Sequence, residues 1–212
     1  MVWSLAFKTP YSATPRLEIL DGTRDSVRKV RYQNPEELGR LSIIPNLHPM
    51  TMGFRVIEED VPHKLRWKAG KLKLPDLTTA AGCYIVSERL RALIEELEPG
   101  VHQFIPIELY RAREKVSFTR CYWFVVCSRI DSVNEEQTTF VFRGDRSLRV
   151  GFWNGLGDQS RVLVFDTKKI GNSHIWYDIY LSMGWTYISN EFHDALLGHG
   201  MKGWTGKQFD QV

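Results

Sequence analysis

Between residues 121 and 127 the chain reads Cys-Tyr-Trp-Phe-Val-Val-Cys, and no other stretch restricts the possible fold as strongly. A strand sends successive side chains to opposite faces. The odd positions are Cys121, Trp123, Val125 and Cys127; the even ones are Tyr122, Phe124 and Val126. Both faces are apolar or aromatic, so the segment belongs in the middle of a sheet that is covered on both sides. With 212 residues, 43% of them hydrophobic, the chain is long enough to build such a core.

The flanking segments suggest what covers it. Residues 83–86 form a short apolar run, followed by Ser87 as a helix N-cap. Leu90, Leu93, Ile94 and Leu97 then recur at helical spacing, and Glu98-Pro99-Gly100 stops the helix. A second unit of this kind lies near the end. Thr186, Tyr187 and Ile188 precede Ser189, then Phe192, Ala195 and Leu196 line a helical face, and Gly198 and Gly200 terminate it. The two units align without a gap at an offset of 189 − 87 = 102 residues. Between them, strands are predicted at 102–110, 138–142, 161–165 and 175–181. Pro106 places the first of these at an edge or a bulge. Asn154-Gly155 and Gly171-Asn172 supply turn residues with access to positive φ.

Residues 1–80 read differently. Seven of the nine prolines fall there, which excludes long helices. Short strands are predicted at 16–20 and 53–57, and a short helix begins at Asn34-Pro35. The expected organisation is an irregular N-terminal region, 1–80, packed on a main domain, 81–212. The fold class is α+β: a mostly antiparallel sheet with two short capped helices and an irregular N-terminal part.

Chemistry is hard to find. Cys121 and Cys127 are six apart on one strand face, too far to chelate one ion together, and His193 and His199 lack a supporting cluster, so no metal site is expected. Residues 198–203 match G-x-G-x-x-G, but they follow a helix instead of opening one, so no dinucleotide cofactor is implied. Ser26-Val27-Arg28-Lys29 matches S-x-x-K without the companion motifs of that enzyme class. The acidic pairs at 58–60 and 135–136 read as solvated turns. His102 and His174, each at the start of a strand, are the candidates for an unrecognised acid–base site, but structural hydrogen bonding is the better account of both. No catalytic residue and no cofactor is therefore expected.

A net charge of +3 is too small for a dedicated nucleic-acid binder. Arg24, Arg28, Lys29 and Arg31 form the nearest approach to a basic cluster, and a nucleic-acid module would use them. Three cysteines in apolar runs argue against a disulfide framework. No apolar stretch approaches the ~20 residues of a membrane span, and the N-terminus lacks the features of a signal peptide. The expected location is cytoplasmic, with no membrane partner. The aromatic residues leave two readings open. They fill a core, or some of them anchor a protein partner, since Trp and Tyr dominate interface hot spots. The candidate contact residues are Trp153, Asn154 and Asp158 beside a flexible turn, with Trp176 and Tyr177.

Three blocks carry a resemblance. Tyr84–Leu90 continues into Leu97-Glu98-Pro99-Gly100-Val101-His102-Gln103-Phe104-Ile105-Pro106. Tyr122-Trp123-Phe124 is followed by Cys127 and Ile130-Asp131. Tyr187-Ile188-Ser189-Asn190-Glu191-Phe192 is followed by Gly200-Met201-Lys202-Gly203. Together, over about residues 80–209, they resemble the immunity-eleven family of bacterial polymorphic-toxin immunity proteins. The resemblance implies a non-catalytic protein whose partner is one cognate toxin, and it carries no catalytic residues over. Residues 1–80 contain no matching block.

Overall fold

The computed structural model describes residues 1–8, 17–38, 49–68, 73–111, 117, 119–145, 150–155, 160–181 and 185–212. Among them, fifteen strands run in order as β1 (Val2–Phe7), β2 (Leu17–Ile19), β3 (Lys64–Trp67), β4 (Leu77–Ala80), β5 (Cys83–Ser87), β6 (Gln103–Arg111), β7 (Thr119–Val125), β8 (Arg129–Ile130), β9 (Val141–Asp145), β10 (Val150–Asn154), β11 (Val164–Phe165), β12 (Ile175–Asp178), β13 (Thr186–Ser189), β14 (Trp204–Thr205) and β15 (Gln208–Gln211). The helices are α1 (Arg24–Arg28), α2 (Glu88–Leu97), α3 (Thr167–Ile170) and α4 (Asn190–Gly198).

β7 sits where its composition requires. The first sheet has the order β2-β3-β6-β7-β5-β4, and Trp123 lies opposite Ile85 on one side and Ile105 on the other. Its odd residues Cys121, Trp123 and Val125 enter one apolar layer with Leu65, Trp67, Ile107 and N-terminal residues such as Val27, Met50 and Val61. Its even residues Tyr122 and Phe124, followed by Val126, enter a second layer with Leu90, Leu93 and Ile94 of α2 and Phe192 and Leu196 of α4. Pro106 is tolerated because β6 has only one partner at that point. The Glu108 amide donates to His63 O on the β3 side. By strand alternation the Pro106 nitrogen faces the same side, beyond the end of β3 at Lys64.

The second sheet has the order β11-β15-β1-β13-β12-β8, with β14 also pairing β1. Its inner face meets α2 and α4 through Leu5, Ile175, Tyr177 and Ile188. Its outer face, with Val2, Trp176 and Tyr187, joins Trp153, Phe165 and Tyr180 in a third layer. Among the described residues the strand pairings are antiparallel except β3–β6, β8–β12 and β11–β15. The architecture is α+β.

The two aligned sequence units occupy matching places. β4–β5–α2 and β12–β13–α4 are each an antiparallel hairpin leading directly into a capped helix. They also clasp one another. Asp76, before β4, accepts the backbone N–H of Lys202 after α4 at 2.9 Å. Glu98, at the end of α2, accepts the backbone N–H of His174 before β12 at 2.8 Å. Ser87 Oγ accepts from Leu90 N at 3.2 Å, and Ser189 Oγ accepts from Phe192 N at 3.1 Å, so both predicted N-caps are formed. Ser87→Ala and Ser189→Ala should each cost about 1 kcal/mol in chemical denaturation. A smaller loss for either would show that its cap is dispensable.

Several boundaries differ from expectation. β2 falls within 16–20, but 53–57 holds only a bridge from Val56 to Tyr32. Residues 138–140 are not a strand, and β9 runs on through Asp145. Pro35–Leu38 is a single 3-10 turn. The β4–β5 hairpin straddles residue 80, and β1 lies between β13 and β15, so the N-terminal eighty residues supply strands to both sheets.

Candidate partner-binding surface

The sequence-predicted contact residues separate once folded. Trp176 is 0% exposed, and its indole Nε1 donates to Ser132 Oγ at 3.0 Å. Tyr177 is 5% exposed and faces the opposite layer, because neighbours in a strand point apart. Burial pushes its phenol above the ordinary value. Trp153, 6% exposed at the end of β10, packs edge-on against Phe142, with ring centroids 5.2 Å apart. These three rings are buried within the fold, so none of them presents its face to a partner. Asn154 is half-buried, and its carbonyl accepts from Arg161 Nη1 at 3.1 Å. Asp158 lies outside the described residues. Gly155 has no positive φ; it is glycine because a Cβ would stand 2.3 Å from the Phe140 ring.

The structure exposes what lies beside those rings. β9 and β10 form a two-stranded antiparallel ribbon outside both main sheets. It is tied to the body by the Trp153–Leu181 bridge, by Trp153 N donating to Tyr180 O at 2.7 Å, and by Phe142 packed edge-on against Tyr180. Val141, 46% exposed, together with Arg143, Gly144 and Asp145, faces solvent. An isolated two-stranded ribbon is marginal in water, so its anchoring by Phe142 and Trp153 is what holds it out. The sequence-predicted strand at 138–142 contains Val141 but stops short of Arg143. The charged, Gly-containing continuation Arg143-Gly144-Asp145 reads as loop.

The histidine candidates are occupied. His102 Nδ1 accepts the Cys127 backbone N–H at 3.1 Å, so the ring proton sits on Nε2 and is donated to Glu98 Oε2 at 2.7 Å. The His102 side chain is wholly buried, leaving neither nitrogen available to a substrate. His174 Nδ1 lies 2.9 Å from Ser189 Oγ. Burial raises the thiols of Cys83 and Cys121 to about 12 and that of Cys127 to about 11, so all three are protonated at neutral pH. Among the described residues no group of three His, Cys, Asp or Glu side chains is placed to hold a metal ion.

The basic N-terminal cluster is partly neutralised. Arg31 grips Asp60 with Nε and Nη2, both at 2.8 Å, and with its backbone N–H at 3.0 Å. These contacts lower the Asp60 carboxyl to about 2. The pair's stabilisation is therefore fully present above the ordinary carboxylate value of 3.8 and is lost as pH falls through about 2. Carboxyl NMR should show Asp60 titrating near 2 in the parent and near its ordinary value in Arg31→Ala. An unchanged titration in the variant would refute the assignment.

The architecture is thus α+β, with His102 and the thiols of Cys83 and Cys121 buried and a small ribbon held out from the body. The Immunity protein family (Imm11) model matches residues 22–212. The chain belongs to that family. The match begins at residue 22, well ahead of the blocks legible from residue 80, and so includes much of the N-terminal region. No curated protein matches the sequence significantly. No helix among the described residues is long and apolar enough to cross a membrane.

Proposed function

We propose that this chain neutralises one cognate secreted bacterial toxin by binding it and occluding its active site, without catalysing a reaction itself. The observation that carries this reading is the family match across residues 22–212. It is supported by the way His102, His174 and the three thiols are engaged or buried. The protein acts in the cytoplasm of the toxin-producing cell and of its kin, protecting them during contact-dependent competition of the type VI kind. Its partner is the toxin, with no role for nucleic acid or a cofactor.

The proposed contact surface is the outer skin of the β9–β10 ribbon, from Val141 and Arg143 to Asn154; Asp158, outside the described residues, joins it on the sequence alone. The ring of Trp153 acts from beneath, with Trp176 in the same apolar layer, by holding that surface in place; Tyr177 faces the other layer. Affinity then depends on a few well-packed anchors, while charge chiefly tunes encounter and partner choice.

Co-expression with the toxin encoded by the adjoining gene tests the function. Cells should survive with this protein and die without it; equal killing would refute the reading. Val141→Asp combined with Arg143→Glu should weaken the purified complex at least about tenfold while leaving the melting temperature unchanged. Undiminished affinity would move the interface elsewhere.

A further inference from the structure

Arg129, on the edge strand β8, is unusually placed. Its stem lies against the backbone of Gly53, where an added Cβ would come within 2.1 Å of its Cγ. Gly53 also has a φ of +82°, so both space and backbone favour glycine there. The guanidinium carbon stands 5.0 Å from the centre of the Phe54 ring. Nε and Nη1 are shielded from solvent and have no hydrogen-bond partner. The nearby carboxylate of Asp178 is already committed: it accepts from Ser132 N, Ser132 Oγ and Tyr180 N, each at 2.7 Å.

The same side chain lines a cavity of about 390 Å³ with Asn34, Gly53, Phe54, Arg55 and Cys127. Two of these six residues are cationic and none is acidic. Arg55 is held in place by Nη2 donating to the carbonyls of Gly100 and Val101 at 2.6 and 3.1 Å. Guanidinium N–H groups shielded from water and left without an acceptor are costly, and native proteins rarely keep them without a use. An arginine fork matches a carboxylate better than any other protein group. The Phe54 ring and Cys127 offer apolar walls to the methylenes that would carry such a carboxylate.

We infer that the Arg129 cavity receives an acidic side chain, Asp or Glu, of the bound toxin. The inference rests on the toxin-binding reading above, but the cavity's preference for carboxylate can be measured without a toxin. The probe is N-acetyl-glutamate N-methylamide, titrated into the full chain while the Arg129 Nε–Hε resonance is followed by NMR. The neutral glutamine analogue and inorganic phosphate serve as comparison ligands.

The carboxylate should produce a saturable shift that the glutamine analogue does not. Gly53→Ala, which displaces the arginine stem, should weaken it at least about tenfold. Equal shifts from carboxylate and amide, or tighter binding of phosphate, would overturn the inference. In the complex with the toxin of the adjoining gene, Arg129→Met should raise Kd at least about tenfold, and an unchanged Kd would also overturn it. If Arg129→Met does not fold, Gly53→Ala is measured against the toxin in its place. Failure of the parent protein to bind the toxin would instead refute the proposed function and leave the carboxylate titration to judge the cavity.

Discussion

Trp176→Ala is expected to lower the stability of the protein by about 3–5 kcal/mol, as removing a buried tryptophan ring does elsewhere. The side chain is 0% exposed, and it packs with Phe165 and Tyr187 in the layer outside the second sheet. Its indole also donates to Ser132 Oγ, which in turn donates to Asp178. The substitution therefore leaves a cavity and loosens a buried polar network in one step. Since folded domains hold about 5–15 kcal/mol in total, the variant should be marginal at 37 °C. Trp176→Phe keeps an aromatic ring and forfeits the hydrogen bond, so its loss should be smaller. Urea unfolding of the three proteins checks this. Equal midpoints for parent and Trp176→Ala would show that the ring is not part of the core.

Glu98→Ala should be nearly as damaging, at about 2–5 kcal/mol, because it leaves two donors, His102 Nε2–H and the His174 backbone N–H, without their acceptor. Glu98 Oε2 holds the His102 ring and Oε1 holds the backbone N–H of His174. One carboxylate thus joins the end of α2, the approach to β6 and the start of β12. Glu98→Gln retains an acceptor for His174 and should lose much less. Amide hydrogen exchange gives a second readout. Protection at Cys127 and His174 should fall together in Glu98→Ala, since Cys127 relies on the ring that Glu98 orients. Unaltered protection at His174 would contradict the assigned contact.

The sequence features that proved most informative were those with a strong period. The residues from 121 to 126 divide between two apolar layers as their alternation predicted. Ser87 and Ser189 cap the helices they precede, because a hydroxyl before an apolar helical stripe satisfies an otherwise orphaned N–H. What escaped was decided by distant partners. β8 and β11 are two residues long and exist through pairing with β12 and β15. Trp153 and Trp176 carry the same chemistry whether they face a partner or a core, so composition alone could not assign them. Arg129 gave no local signal at all. Its setting depends on Gly53, which lies far away in the sequence and close by in the fold.

The pairing of β1 with β13 also has a temporal consequence. Trp3 and Asn190, joined by a side-chain hydrogen bond, are 187 residues apart. At ribosomal speeds of about 5–20 residues per second, the first strand waits roughly 10–40 s for its neighbour. During that interval the apolar Val2 and Leu5 have no sheet to join. Topologies rich in such remote contacts also fold slowly once synthesis ends. Protection against a poison would then lag behind gene expression, which favours keeping a standing reserve of the finished protein over making it on demand.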